Sequence, residues 1–288
     1  MNREIFTGKN IIIQGITGTQ GAFHTARMRT SGAYIVAGTS PNKTGTLVDT
    51  VPVYATIKDI QADFTVDASV IFVPAAFVKA AIIEAVDANV PLIMCITEGV
   101  PIHDMLYIKH YIVGKSSILV GPNSPGILIP GLHTLGIIPA SMGLPGATGV
   151  VSRSGTLTYE LTAGLSRRGI GQRYVIGIGG DPIRGTNFID CLELFEKDPD
   201  VKQIVMIGEI GGTDELLAAD YIKQHVTKPI YGYIAGHAAP AGVQLGHAGA
   251  ILGSDQESAQ AKTEKLRSAG VAMSARITKL IDSVSVVQ

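Results

Sequence analysis

At 288 residues, 46% hydrophobic and 16% charged, with a mean hydropathy of +0.30, the chain is long enough for two domains and unusually apolar. A net charge of −1 leaves no electrostatic footprint for nucleic acid or an anionic membrane surface. No apolar run reaches a membrane span: Ala68–Val90 is broken by Pro74, Lys79, Glu84 and Asp87, and Gly126–Ala140 by Pro130 and Pro139. The apolar surplus is expected to cover both faces of buried sheets or a subunit interface. Cys95 and Cys191 lie far apart in apolar contexts and read as buried thiols in a reducing compartment. With no secretory h-region and no Arg-rich amphipathic start, a cytoplasmic location is expected, or the mitochondrial matrix for a mature eukaryotic chain.

In chain order, Asn10–Ile16 predicts a strand, Gln20–Ser31 a helix and Tyr34–Ser40 a strand. Ser69–Val73 is the next strand, followed by a helix over Ala75–Asn89, a strand over Leu92–Ile96, a helix over Ile102–Val113 and a strand over Ser117–Val120. This β-α-β succession calls for a mostly parallel, doubly wound sheet. A Pro/Gly-rich passage from Gly121 to Gly146 reads as an interdomain connection. A second series follows: strands Gly149–Ser152, Arg173–Ile178, Gln203–Ile207 and Ile230–Ile234, with helices Thr156–Arg168, Asn187–Lys197 and Asp214–His225 between them. A long irregular loop, Gly236–Gly253, precedes a polar helix over Gln256–Ala269. The expected division is 1–122, a connection at 123–146, and 147–288.

The strand ends carry the candidate chemistry. The first loop, Gln14-Gly15-Ile16-Thr17-Gly18-Thr19-Gln20-Gly21, leaves a strand and opens a helix, whose unpaired N–H groups suit a phosphate. Its G-x-x-G-x-x-G spacing differs from the dinucleotide fingerprint. The second strand ends in Gly38-Thr39-Ser40-Pro41-Asn42-Lys43, a lysine where a ribose diol wants an acid. A phosphorylated nucleotide fits better than NAD. Val73-Pro74-Ala75-Ala76 and Ile96-Thr97-Glu98-Gly99 face the same edge, either as ligand contacts or as ordinary turn chemistry. Ser154, before Gly155 and Thr156, is an N-cap whose helix start offers an anion site; as a plain cap it is explained equally well. Tyr159 sits one turn further on. Asp181, in Gly-Ile-Gly-Gly-Asp-Pro, either caps or orders the site.

His247 lies among small residues in Leu245-Gly246-His247-Ala248-Gly249, and Glu209 ends an apolar strand 38 residues earlier. A carboxylate holding one ring nitrogen leaves the other nucleophilic. A loop histidine at a tight turn is the simpler reading of these residues alone. His24 reads as packing or surface, His103 and His110 share a helix face without chelating spacing, His133 falls in the connection and His225 near a helix end, and His237 lacks the glycine neighbours. No metal-binding spacing occurs.

Together, Gln-Gly-Ile-Thr-Gly-Thr-Gln-Gly (14–21), Ile-Thr-Glu-Gly (96–99), Ser-Arg-Ser-Gly-Thr-Leu-Thr-Tyr-Glu (152–160), Gly-Ile-Gly-Gly-Asp-Pro (177–182), Met-Ile-Gly-Glu-Ile-Gly-Gly (206–212) and Gly-His-Ala-Gly-Ala-Ile (246–251) closely resemble the alpha subunits of succinate–CoA ligases. The resemblance covers nearly the whole chain. It implies an α/β protein, a Rossmann-like CoA-binding domain followed by a flavodoxin-like ligase domain. It implies His247 as the phosphorylated residue steadied by Glu209, CoA contacts at Thr17, Gly18, Thr19, Gln20, Lys43, Ile96, Thr97 and Glu98, a phosphate-binding helix start at Ser154, Gly155 and Thr156, and Tyr159 at the acyl substrate. It further implies a beta subunit with an ATP-grasp site, Mg²⁺ with ATP or GTP there, succinate as substrate, and an αβ heterodimer or heterotetramer.

The sequence departs from the family's pattern at Ser124, where most members carry cysteine, at Arg184, and in a less basic loop over 237–245. Two alternatives stay open. One is a sister ligase acting on malate or another dicarboxylate. The other is a non-catalytic CoA- or NAD-binding regulatory module, in which His247 takes no phosphate. A dehydrogenase is disfavoured by the missing diol acid.

Overall fold

The computed structural model describes residues 3–8, 10–237, 246–251 and 253–287. The first sheet contains β1 (Ile11–Gln14), β2 (Ile35–Thr39), β3 (Leu47–Val48), β4 (Val51–Tyr54), β5 (Ala68–Ile71), β6 (Leu92–Cys95) and β7 (Ile118–Val120). Helices α1 (Thr19–Thr30), α2 (Ile57–Gln61), α3 (Ala75–Asp87) and α4 (Ile102–Tyr111) connect them. The strand order is β3-β4-β2-β1-β5-β6-β7. All pairs are parallel except β3 with β4. Counting the parallel strands alone, this is the 3-2-1-4-5-6 order of a Rossmann fold. Strands β1, β5 and β6 are buried along their whole length, as continuous apolar runs covered on both faces require.

The second sheet contains β8 (Gly126–Ile129), β9 (His133–Gly136), β10 (Pro145–Ser152), β11 (Gln172–Gly177), β12 (Gln203–Glu209), β13 (Ile230–Ala235) and β14 (Ala272–Met273). Its helices are α5 (Gly155–Arg167), α6 (Phe188–Lys197), α7 (Asp214–His225), α8 (Ala259–Ser268) and α9 (Ile277–Ser283). The order is β14-β13-β12-β10-β11-β8-β9. Its parallel part, β11-β10-β12-β13-β14, is the 2-1-3-4-5 order of flavodoxin. Both halves of the expected α/β architecture are therefore present.

The passage read as an interdomain connection does join the sheets, and it also builds part of the second one. β8 and β9 form an antiparallel hairpin, and β8 pairs antiparallel with β11. Ile127-Leu128-Ile129 is apolar enough to be buried, and Gly131 supplies the positive φ of the turn. The hairpin places His133 in the core, its Nε2 2.9 Å from the Phe6 carbonyl oxygen. Five further elements were not expected: β3, β4 and α2, the short edge strand β14, and α9. The polar helix begins later than expected, at Ala259, behind a 3-10 turn over Asp255–Glu257. One apolar core runs between the sheets, where Phe6 meets Tyr174 edge-on at 6.2 Å and Tyr174 stacks on Phe195 at 5.7 Å.

Candidate active site

Each sheet has a topological switch point, where ligands collect in open α/β folds. In the first, the chain runs β1, β2, β4 to one side and then crosses to β5 on the other. The loops after β1 and β5 face each other there. Gly15, at φ +83°, lies so close to Val73 that a Cβ would meet its backbone nitrogen at 3.0 Å. A Cβ on Gly21 would meet the Gly15 carbonyl oxygen at 2.2 Å, so α1 can press onto the loop only with glycine there. Gly18 has ordinary space, its nearest contact at 3.4 Å. Two of the three glycines thus serve packing.

Thr17, Gly18, Thr19 and Gln20 stay accessible beside this seam. Thr19, Gln20 and Gly21 begin α1 and have no preceding helical carbonyl to bond. A 2.8 Å contact between the Thr17 and Ser40 hydroxyls ties the loop to the end of β2. Lys43 ends the turn that follows and is exposed. Beside them, the Thr97 hydroxyl donates to the Val73 carbonyl at 2.7 Å, fixing the segment after β6.

In the second sheet the switch lies between β10 and β12. The segment after β10 opens α5, where the Ser154 hydroxyl accepts from Leu157 N–H at 3.3 Å. Glu209 is the last residue of β12. His247 Nδ1 lies 2.7 Å from Glu209 Oε2. That contact uses one ring nitrogen and leaves Nε2 for another partner. The imidazole rests on Gly180, where a Cβ would lie 2.3 Å from the ring's Cγ. Gly249 N–H donates to the Gly180 carbonyl at 3.1 Å, fixing the chain just past the histidine. The hydrogen bond with Glu209 raises His247 above the usual histidine value, against the opposing effect of burial. Residues 238–245, including most of the less basic loop, lie outside the described residues.

The two sheets meet at a cavity of about 360 Å³. Ile96 and Glu98 reach it from the first sheet; Gly155, Thr156, Tyr159 and His247 from the second. Thr17–Gln20 and Lys43 do not line it. They mark a separate stretch of the same edge. Tyr159 is half-buried, and burial pushes its phenol above the usual tyrosine value, so its hydroxyl keeps its proton at neutral pH. Asn123 joins the wall and donates from Nδ2 to Asp181 Oδ1 at 2.9 Å. Burial pushes the Asp181 carboxyl up, while Asn123 and Arg184 pull it down. Ser124, at the cysteine position of the family pattern, donates to the Gly177 carbonyl at 2.5 Å and accepts from Gly126 N–H at 2.9 Å. Arg184 is buried, with one amino group on the Asp181 carbonyl and another on the Asp214 carboxylate.

Sequence reading missed the support beneath Glu209. Arg153, Glu215 and Lys262 lie in one buried cluster, with side-chain exposures of 2%, 0% and 0%. The missed signal was periodicity. Glu215 shares the buried stripe of α7 with Ala218, Ala219 and Ile222, and Lys262 shares that of α8 with Ala259, Thr263 and Leu266. A charged residue in phase with an apolar stripe needs a partner.

Residues 6–99 match the CoA binding domain family and residues 151–272 the CoA-ligase family. In that order on one chain, they define a subunit of an acid–thiol ligase. The chain is 49% identical over 260 residues to a protein of Archaeoglobus fulgidus named succinate–CoA ligase [ADP-forming] subunit alpha 2, covering 90% of each. It is 45% identical over 277 residues to the corresponding alpha subunit of Aquifex aeolicus, covering 96% of this chain and 91% of that one. The chain belongs to the succinate–CoA ligase alpha-subunit family. Among solved structures, ATP citrate lyase of Methanothrix soehngenii, in complex with citrate and coenzyme A, matches with a TM-score of 0.82 at 26% identity. The match covers 96% of this chain and 50% of that one, so this chain spans about half its length.

Proposed function

We propose that this chain is the alpha subunit of an NDP-forming succinate–CoA ligase, and that His247 carries the phosphoryl group. The observation that supports this best is the His247–Glu209 contact at 2.7 Å beside a cavity shared with the start of α5. With Glu209 accepting from Nδ1–H, the Nε2 lone pair is the nucleophile toward the terminal phosphoryl of a nucleoside triphosphate. The nucleoside diphosphate leaves. Backbone N–H groups of Gly155 and Thr156, which α5 itself does not use, stabilise the phosphoryl charge at its positive end. Succinate then takes the phosphoryl group, forming succinyl phosphate and restoring His247. The CoA thiol attacks the acyl carbon, phosphate leaves, and the thiol proton leaves with it.

The Tyr159 hydroxyl is the proposed donor to a succinate carboxylate. CoA is proposed to lie along the first sheet's edge, its phosphates over Thr17, Gly18, Thr19 and Gln20, Lys43 at the ribose phosphate, and its thiol end passing Ile96, Thr97 and Glu98. The nucleotide and Mg²⁺ belong to an ATP-grasp beta subunit in an αβ or doubled assembly. The bacterial and archaeal relatives make the cytoplasm its proposed place. The proposed domain division is 1–122 for CoA and 147–288 for the ligase chemistry; of 123–146, the strands β8 and β9 and the start of β10 go with the second sheet.

The test is phosphorylation of the co-expressed complex with labelled nucleotide and Mg²⁺. The expected result is an acid-labile, base-stable label, lost in His247→Asn, retained in His237→Asn, and discharged by succinate plus CoA. A label that survives in His247→Asn refutes the assignment. Discharge by malate but not succinate keeps the chemistry and replaces the substrate. The chain without its partner is expected to bind CoA and make no succinyl-CoA.

A further inference from the structure

We infer that Arg153, Glu215 and Lys262 form a positioning and charge-setting triad that grips Glu209 on every side and keeps His247 neutral enough to accept a phosphoryl group. The inference rests on the proposal that His247 is the phosphorylated residue. None of the three lines the cavity, so they act through Glu209 and not on substrate.

Every polar part of Glu209 meets the triad or the histidine. Its backbone N–H donates to Glu215 Oε1 at 3.1 Å. Its carbonyl accepts from Lys262 Nζ at 2.8 Å. Carboxylate Oε1 faces Arg153 Nη2 at 3.2 Å as an ion pair without a hydrogen bond, and Oε2 meets His247. The same cations brace the turn beyond: Lys262 Nζ donates to the Gly211 carbonyl at 2.7 Å, and Arg153 Nη1 to that oxygen at 3.0 Å. Gly211 in turn backs the histidine segment, since a Cβ there would meet the Gly249 carbonyl oxygen at 2.1 Å. Glu215 binds both cations, Arg153 Nη1 at 2.9 Å and Lys262 Nζ at 2.5 Å.

Two cations and one anion leave the triad one net positive charge, set against the single negative charge of Glu209. Ions this deep persist only when paired and hydrogen-bonded. Burial opposes ionisation of Glu215, but Arg153 and Lys262 outweigh it and hold the carboxyl below its usual range. The charged groups that bear on the imidazole are Glu209 at the end of β12, Arg153 after β10 and Asp181 after β11; Glu98 lines the same cavity. Glu209 and Asp181 favour imidazolium and Arg153 disfavours it. An extra positive charge behind Glu209 keeps the ring neutral to lower pH. Loss of one does the reverse.

The test is the pH dependence of histidine labelling in the co-expressed complex, with nucleotide and Mg²⁺ saturating. Neutral imidazole is the nucleophile, so labelling falls on the acid side. Lys262→Met removes a positive charge and is expected to move that limb up by roughly half to one pH unit. This is less than the 1–3 units of charges about 4–6 Å apart, because the ammonium stands behind Glu209. Glu215→Gln removes a negative charge and is expected to move it down. The double variant Lys262→Met/Glu215→Gln keeps the net charge and is expected to return near wild type; leaving no lone ion of that pair, it also serves if Lys262→Met does not fold. A merely structural role loosens Glu209, weakens its hold on Nδ1 and moves the limb down in all three. That result overturns the inference. Absence of label from wild-type His247 overturns the underlying proposal instead and is read from a different sample.

Discussion

Gly180→Ala tests the seat of the histidine without substituting any residue that reacts. The three nearest heavy atoms to the added Cβ all belong to the His247 ring: Cγ at 2.3 Å, Nδ1 at 2.5 Å and Cδ2 at 2.7 Å. Real Cβ atoms do not approach so closely, so the ring must leave its place, and Nδ1 with it. What is lost is a hydrogen bond to a carboxylate, worth about 1.5–3 kcal/mol. At about 1.4 kcal/mol per tenfold, labelling should slow by roughly ten- to 150-fold in a single-turnover assay of the co-expressed complex. The clash reaches the ring before any core atom, so the thermal midpoint should move by only a few degrees. Labelling at the wild-type rate would show that the working ring does not rest on Gly180. A collapse of the midpoint would show that Gly180 supports the fold and not the histidine.

At the first switch point, Gly21→Ala places a Cβ 2.2 Å from a backbone oxygen, whereas Gly18→Ala meets nothing closer than 3.4 Å. Calorimetry should find CoA binding lost in the first and kept within about threefold in the second, from the difference between overpacking and ordinary contact; equal losses would refute the packing role of Gly21. Lys43→Ala should weaken CoA about tenfold to hundredfold, the worth of a charge-assisted contact, and dephospho-CoA far less. Equal affinities of wild type and variant would remove Lys43 from the site. Burial pushes the Cys95 thiol up to about 12 and raises Cys191 as well. A thiol reagent should therefore modify neither in the native chain and both once it unfolds; rapid native labelling of either would contradict the packing.

Sequence reading located strands β1, β2, β5, β6, β7, β10, β11, β12 and β13 because each is a short apolar run with glycine or proline nearby. It failed where burial is carried by something other than periodic apolar residues. The β8–β9 hairpin is rich in glycine and flanked by prolines, the signature of a connection, yet three consecutive apolar residues bury it against β11. The edge strand β14 is two residues long and α2 only five, too short for any period to register. Helix α2 still announces its start chemically, through a Thr56–Asp59 capping box.

The site shows the same division. Glu209 and His247 stand out because each follows an apolar or glycine-rich stretch, but no spacing rule says that two residues 38 positions apart come within 2.7 Å. That closeness comes from topology: β12 lies beside the switch point, and the described residues 247–251, between β13 and α8, pack against Gly180 and Gly211 near its carboxyl end. Glycine choices then permit it, since Gly180, Gly211 and Gly249 each sit where a Cβ would collide with the histidine segment or its support. Glu215 and Lys262 are legible by a different route. Each is the lone charged residue on the buried stripe of its helix, and they carry opposite signs. Either one alone would cost more than its helix gains by burying it. Two such helices in one domain therefore predict their own contact, and α7 and α8 do pack together through the 2.5 Å Lys262–Glu215 pair, directly beneath the backbone of Glu209.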